Sequence, residues 1–226
     1  MTNELIFSFH VFLILSITVL SLYFGKEALV AWISLQSILA NLFVLKQMTI
    51  FSLSSTCSDV FALGSFLGLS LLQEYFGMSV AKKTLFISFT SMLAFALLAQ
   101  VHLLYHPSPP STVQEAYALI LSPSFRLFSA SLLSFFIVQF IDIHFYRWLS
   151  CKMKTTHLPL RIFLALTLSQ GLDTILFTVI GLIGIMDHLL SIMLVSFMLK
   201  MVIVLSSTPF TLFLRRFIPR PQGDAV

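Results

Sequence analysis

Hydrophobic residues in this chain come in long unbroken runs rather than in alternation with polar ones. Seven runs are long enough to cross a bilayer as helices: Leu5 to Phe24, Ala28 to Phe51, Cys57 to Gly77, Thr84 to Tyr105, Leu119 to Tyr146, Ile162 to Met186 and Leu189 to Leu214. A helix needs about 20 mostly apolar residues to span the roughly 30 Å hydrocarbon layer. Barrel strands would alternate in polarity, and lipid leaves no backbone group unpaired, so continuous runs predict helices. The expected fold is all-α, a polytopic bundle of seven transmembrane helices forming a single domain over residues 1–226. The first run follows Glu4 rather than a basic stretch and has no small-residue cleavage site after it, so it reads as a span and not as a signal peptide. Tyr23, Tyr75, Tyr105, Tyr117, Tyr146 and Trp148 all fall near predicted helix ends, as an interfacial aromatic belt requires. His106 to Ala116, with Pro107, Pro109 and Pro110, reads as an extended external loop.

Composition narrows the class. Hydrophobic residues make up 58% of the chain and charged ones 10%, with a mean hydropathy of +0.99. Soluble domains carry roughly a quarter charged residues, so a soluble enzyme and a disordered chain are both excluded. The bases then orient the bundle, because Lys and Arg are retained on the cytoplasmic side. Lys26, Lys82, Lys83, Arg147, Lys152, Lys154, Arg161, Arg215, Arg216 and Arg220 fall in the first, third and fifth loops and at the C-terminus. The other connections and the N-terminus hold only the acids Glu4, Glu115 and Asp187. This asymmetry predicts N-terminus out and C-terminus in. Cys57 and Cys151 are then on opposite sides and cannot pair, and neither has metal-ligand spacing.

Seven ionisable residues remain inside the predicted spans: Lys46, Arg126 and Lys200, with Asp59, Glu74, Asp142 and Asp173. A charge in lipid costs at least a few kcal/mol, so each is a functional candidate or needs a partner. At 1.5 Å rise per residue, Asp173 and Lys200 both lie about 16 Å deep, near the midplane. Glu74 and Asp142 lie nearer the inner face, where they could instead reach interfacial water or the basic loops. A QxxD pattern occurs twice, as Gln139 with Asp142 and as Gln170 with Asp173, each pair on one helix face. The second stripe continues through Thr174 and Phe177, joining an amide, a carboxylate, a hydroxyl and an aromatic ring. Such a face can hold a flat nitrogen heterocycle, stacked on the ring and hydrogen-bonded at its edge. In the third run Asp59, Ser70, Glu74 and Gly77 share a stripe, and Gly64 with Gly68 forms a GxxxG pair suited to close helix packing. Ser34, Ser37 and Asn41 form a stripe on the second, where Asn41 could bond across helices or line a pore.

The chain has no GxxxxGK[ST] loop, HExxH or GxSxG, and its six histidines are scattered. No enzymatic activity, cofactor or metal is expected, and the net charge of +4 is accounted for by topology rather than by nucleic acid.

In motif order the chain resembles the bacterial queuosine precursor transporter family, a group of vitamin-uptake-like membrane proteins. The resemblance runs from about Ala40 to the last helix. It is carried by Ala40, Asn41 and Lys46; by LLQEYFG ending at Gly77, followed by Ala81, Lys82 and Lys83; and by Arg126 with Ala130 and Ser131. It continues in Gln139 and Asp142, SQGLDT with Gln170, Asp173 and Thr174, then Phe177, and Lys200 with Pro209. Ser70 stands where many members have an acid. The resemblance implies a six-helix core plus an N-terminal helix in a bacterial cytoplasmic membrane. It further implies import of 7-deazaguanine bases, either queuine or its cyano and aminomethyl precursors, for tRNA modification. On that footing Asp173 and Gln170 are expected to hold the guanine-like edge. Asn41, Glu74, Gln139, Asp142, Thr174 and Phe177 complete the expected site, with Asp142 or Glu74 free to meet a cationic amine. Lys46, Asp59, Arg126 and Lys200 are expected to pair charges within the membrane. Two other readings stay open: a substrate-binding subunit of an ATP-driven vitamin transporter, and a structural or assembly subunit of a membrane complex.

Overall fold

A computed structural model describes residues 2–44, 46–50, 53–106, 112–121, 125–153, 157–184 and 189–217. Within them lie eight α-helices: α1 (Asn3–Phe24), α2 (Lys26–Leu42), α3 (Asp59–Phe76), α4 (Met78–Leu103), α5 (Thr112–Leu121), α6 (Phe125–Lys152), α7 (Leu158–Phe177) and α8 (Leu189–Phe217). The last turns of α7 widen into a π-helical segment, Thr178–Leu182. Four helices are long and apolar enough to cross a membrane on their own account: Asn3–Phe24, Met78–Leu103, Arg126–Lys152 and Leu158–Gly181. The helical bundle agrees with the sequence reading, while several boundaries differ from it.

The second hydrophobic run does not stay helical to Phe51. Its helix stops at Leu42, and Gln47–Ile50 (β1) pairs antiparallel with Leu53–Thr56 (β2), with Gln47 opposite Thr56 and Ile50 opposite Leu53. Continuing the helix would have carried Lys46 into the hydrocarbon layer; ending it early leaves Lys46 exposed. The hairpin is tied down by Asn3, whose Nδ2 donates to the Thr49 carbonyl at 2.9 Å, and by Ile50, which is buried in the core. Irregular backbone at such a site is tolerated because it packs on protein. The fifth run divides between α5 and α6, and the stretch read as an extended loop is already helical from Thr112.

At the centre stands α3, buried without interruption from Leu63 to Gln73 and packed on α1, α2, α4, α6, α7 and α8. The GxxxG pair does what its spacing suggests. A Cβ at Gly68 would come within 2.8 Å of Ile33, and one at Gly64 would overlap the amide oxygen of Gln36 and meet Ile14 at 2.6 Å. Gly64→Leu is therefore expected to destabilise the protein by about 1–3 kcal/mol through overpacking. Thermal unfolding of the purified protein checks this. Glycine is also required between α1 and α2 and between α3 and α4. There Gly25 and Gly77 take φ of 110° and 87°, turning the chain back in a single residue.

Lipid-facing character is plain in α1 and α4, where Phe9, Phe12, Phe86, Leu97 and Leu98 are exposed. The interior is the more polar side, with Thr18, Ser34, Gln36, Ser37, Ser65, Ser70, Thr84, Ser88 and Gln139 buried. In a bilayer, close packing and hydrogen bonds between helices hold a bundle together, since lipid tails are as apolar as leucine.

Candidate functional site

The polar interior is organised along α3, whose residues from Asp59 to Glu74 cover about 22 Å of helix axis. At the Asp59 end, Lys200 of α8 donates to Asp173 of α7 at 2.7 Å and stands 3.8 Å from Asp59. One ammonium thus joins three helices. The sequence reading set Asp173 and Lys200 at one depth but gave Asp173 to the substrate and Lys200 to an acid it did not name; in the structure the two pair with each other, and Asp59 belongs to the same cluster.

At the Glu74 end, Arg161 of α7 donates to Glu74 at 2.6 Å and Tyr146 of α6 donates to the other carboxylate oxygen at 2.8 Å. Both side chains of the ion pair are almost completely buried, at 2% and 4% exposure. The Arg161 guanidinium also lies 5.8 Å from the Tyr146 ring centroid, within cation–π range. The sequence reading placed Arg161 in a cytoplasmic loop among the residues that set topology. Among the described residues it is one of the largest fully buried side chains.

Between these two charged clusters lies a layer of amides and hydroxyls. Gln139 Nε2 donates to Ser65 at 3.0 Å, and Ser65 meets Ser37 at 3.0 Å, joining α6, α3 and α2. One turn further along α6, Asp142 accepts from Ser169 of α7 at 2.6 Å. The next residue, Ile143, offers its carbonyl to Gln73 Nε2 at 2.8 Å. These bonds leave much of the layer unsatisfied. Among the described residues, Asp142 Oδ2, Gln73 Oε1, Gln139 Oε1, the Ser70 and Ser134 hydroxyls and both amide atoms of Gln170 have no hydrogen-bond partner. A native interior leaves few such atoms, because each costs about 1–3 kcal/mol. Both amide atoms of Gln36 on α2, the Arg161 Nε and the Thr167 hydroxyl are likewise without a partner among the described residues, so most of these atoms lie on α3, α6 and α7.

The predicted site residues separate into groups. Gln139, Asp142 and Gln170 lie in the central layer, at 0%, 1% and 0% exposure. Asp173 and Glu74 are each engaged by a cation. Thr174 donates back to the Gln170 carbonyl at 2.8 Å, and Phe177 is partly buried beside Gly181. Asn41 bonds across helices: its Oδ1 accepts from Ser131 at 2.6 Å and its Nδ2 donates to the Ser37 carbonyl. Arg126 is exposed at the start of α6 and donates to the carbonyls of Ile180 and Ile183, holding the π-helical segment. Lys46 lies outside the helices. Among the described residues neither Arg126 nor Lys46 forms an ion pair with an acid. Sequence reasoning passed over Ser65, Gln73, Tyr146, Arg161 and Ser169. Serines and a lone glutamine carry no signal of their own there, but Pro159 in the first turn of α7 places Arg161 inside a helix rather than before one.

The family model described as "Putative vitamin uptake transporter" matches residues 56–214, more than two thirds of the chain. The chain belongs to this family. Among curated proteins, the "Probable queuosine precursor transporter" of Bacillus subtilis (strain 168) is 30% identical over 205 residues, covering 89% of this chain and 90% of the relative. No solved structure matches. The protein is thus a multi-pass membrane protein of a transporter family. The family match covers α3 to the greater part of α8, and with them both charged clusters and the central layer. The first two helices and most of the hairpin lie before it.

Proposed function

We propose that this protein imports queuosine precursors, 7-deazaguanine bases, across the bacterial cytoplasmic membrane, and that the layer around Gln139, Asp142 and Gln170 binds them. The observation that carries the reading is the buried Asp142 carboxylate with one oxygen unbonded, beside glutamine amides whose bonding capacity is also unspent. A guanine-like edge presents a ring NH, an exocyclic amine and a carbonyl. A carboxylate accepts two parallel NH bonds from such an edge, and an amide can both donate and accept. The engagement of Asp173 by Lys200 moves this role from Asp173 to Asp142. The named relative supports the substrate class.

The chain crosses the membrane seven times on this reading, through α1, α2, α3, α4, α6, α7 and α8, as one domain with the N-terminus outside. The 17 residues of α2 are at the short end of what spans a bilayer. The hairpin and α5 lie at the outer end, the Lys200 cluster just beneath, and the Arg161–Glu74 pair toward the cytoplasm. A reporter fused after Val226 is expected to work only if it needs the cytoplasm; activity confined to the outside would overturn the orientation.

The function is tested in a host that cannot make queuosine and lacks its own precursor uptake. Expression of this protein is expected to restore queuosine in tRNA when a 7-deazaguanine base is supplied at low concentration. Failure to restore it with the protein present in the membrane would refute the proposal.

A further inference from the structure

Away from the polar interior, two stripes of side chains meet along α4 and α6. On α4 Met78, Lys82, Phe86 and Phe89 recur at helical spacing, and on α6 Phe136, Phe140, His144 and Trp148 do the same. The stripes touch at two rungs. Phe136 meets the rings of Phe86 and Phe89 edge-on, at 5.7 and 5.1 Å between centroids, and Arg147 Nη1 donates to the Met78 sulfur at 3.6 Å. The two helices are therefore antiparallel here, and Lys82 lies on its stripe between the rungs. Along α6 the rings continue from Phe136 to Phe140 at 6.5 Å and from Phe140 to His144 at 4.5 Å. Phe86, Phe140 and His144 are all exposed, so this seam is open to lipid.

The basic end of the seam carries uncompensated charge. Lys82 is partly exposed, Lys83, Arg147 and Lys152 are exposed, and none of the four forms an ion pair among the described residues. Two acids near that end already have cations: Glu27 pairs with Lys26 and Glu74 with Arg161. Trp148, exposed and stacked on Phe145 at 5.7 Å, stands where an interfacial ring is expected. Phe136 is three turns further along the same stripe, about 18 Å at 1.5 Å per residue, which is close to half of the hydrocarbon layer and so to the reach of one acyl chain. Retention of bases on one side of the membrane explains the end they occupy, but not why Lys82 and Arg147 flank the mouth of an exposed aromatic seam. We propose that the seam between α4 and α6 binds an anionic phospholipid, with its phosphate between Lys82 and Arg147 and one acyl chain along Phe140 toward Phe136. A guanidinium grips phosphate oxygens in pairs and a lysine adds a point charge. A zwitterionic choline headgroup fits less well, because its quaternary ammonium would be set among the same cations. This site is separate from the transport reading and stands or falls without it.

The test uses the full-length purified protein carrying Trp32→Phe, so that its fluorescence reports Trp148 alone. It is placed in bilayers mixing phosphatidylglycerol with phosphatidylcholine of equal chain length, with bromine on the chains of one lipid or the other to quench the indole. Phosphatidylglycerol is expected to bind at least about tenfold more tightly, since each nearby base favours an anionic lipid by about fivefold. Lys82→Gln combined with Arg147→Gln is expected to bring the ratio to within about twofold of one. Lys26→Gln, at the same end but off the seam and paired with Glu27, is expected to leave the ratio unchanged. Mass spectrometry of the intact wild-type protein, released from mixed micelles of the two lipids, makes the first comparison without any substitution, and preferential retention of phosphatidylglycerol is expected. Equal binding of the two lipids by the wild type would overturn the proposal. So would a preference that survives the double substitution, or one that Lys26→Gln lowers as much, which would assign it to general surface charge. Quenching of Trp148 by neither lipid would mean that protein covers the seam, and would overturn it as well.

Discussion

Arg161→Leu is expected to destabilise the protein by about 3–5 kcal/mol, the usual result of taking one partner from a buried ion pair. The guanidinium is almost fully enclosed and donates to Glu74 at 2.6 Å, so its loss strips a carboxylate of its cation in a place water does not reach. It also removes the cation above the Tyr146 ring. Pairing it with Glu74→Leu should recover most of the loss, because two well-packed apolar residues often replace a buried pair without penalty. Unfolding of the single and double variants gives the coupling energy directly. Equal destabilisation by both would mean that packing, and not the charge pair, holds this end of the bundle.

Lys200→Met is the second large effect. One ammonium faces two carboxylates, Asp173 at 2.7 Å and Asp59 at 3.8 Å, so its removal leaves like charges near each other and unties α8 from α7 and α3. A loss of about 3–5 kcal/mol is expected by the same logic. Adding Asp173→Asn should return more than half of it. A purely structural subunit would then regain its role with its stability. A transporter whose helices must move past this cluster should remain impaired in uptake, so stability and uptake measured on the double variant distinguish the two.

The common depth of Asp173 and Lys200 was legible from the rise per residue, but their pairing was not, because the sequence reading gave Asp173 to the substrate and named no partner for Lys200. Close packing of another helix on α3 was legible because Gly64 and Gly68 leave room that no other residue leaves, and the structure shows that helix to be α2. Arg161 was misplaced because hydropathy begins the sixth span at Ile162. The helix begins at Leu158, with Pro159 in its first turn, so the arginine points into the bundle one turn inside. The hairpin was hidden for the opposite reason: the residues of β1 extend an apolar run, and only the cost of burying Lys46 argues against continuing the helix. The twin QxxD motifs looked alike in sequence and differ in space. One carboxylate found a lysine on α8 and the other, among the described residues, the hydroxyl of Ser169, a difference set by tertiary neighbours that no local pattern encodes.

That difference makes Asp142 the centre of the account, and uptake of labelled queuine by cells expressing only this protein tests it most directly. The wild type is expected to show saturable uptake that unlabelled queuine competes away. Asp142→Asn and Gln170→Leu, present in the membrane at wild-type levels, are expected to reduce the uptake at least about thirtyfold, as loss of a buried charge-assisted contact implies. Wild-type uptake in both variants would contradict the assignment of the site.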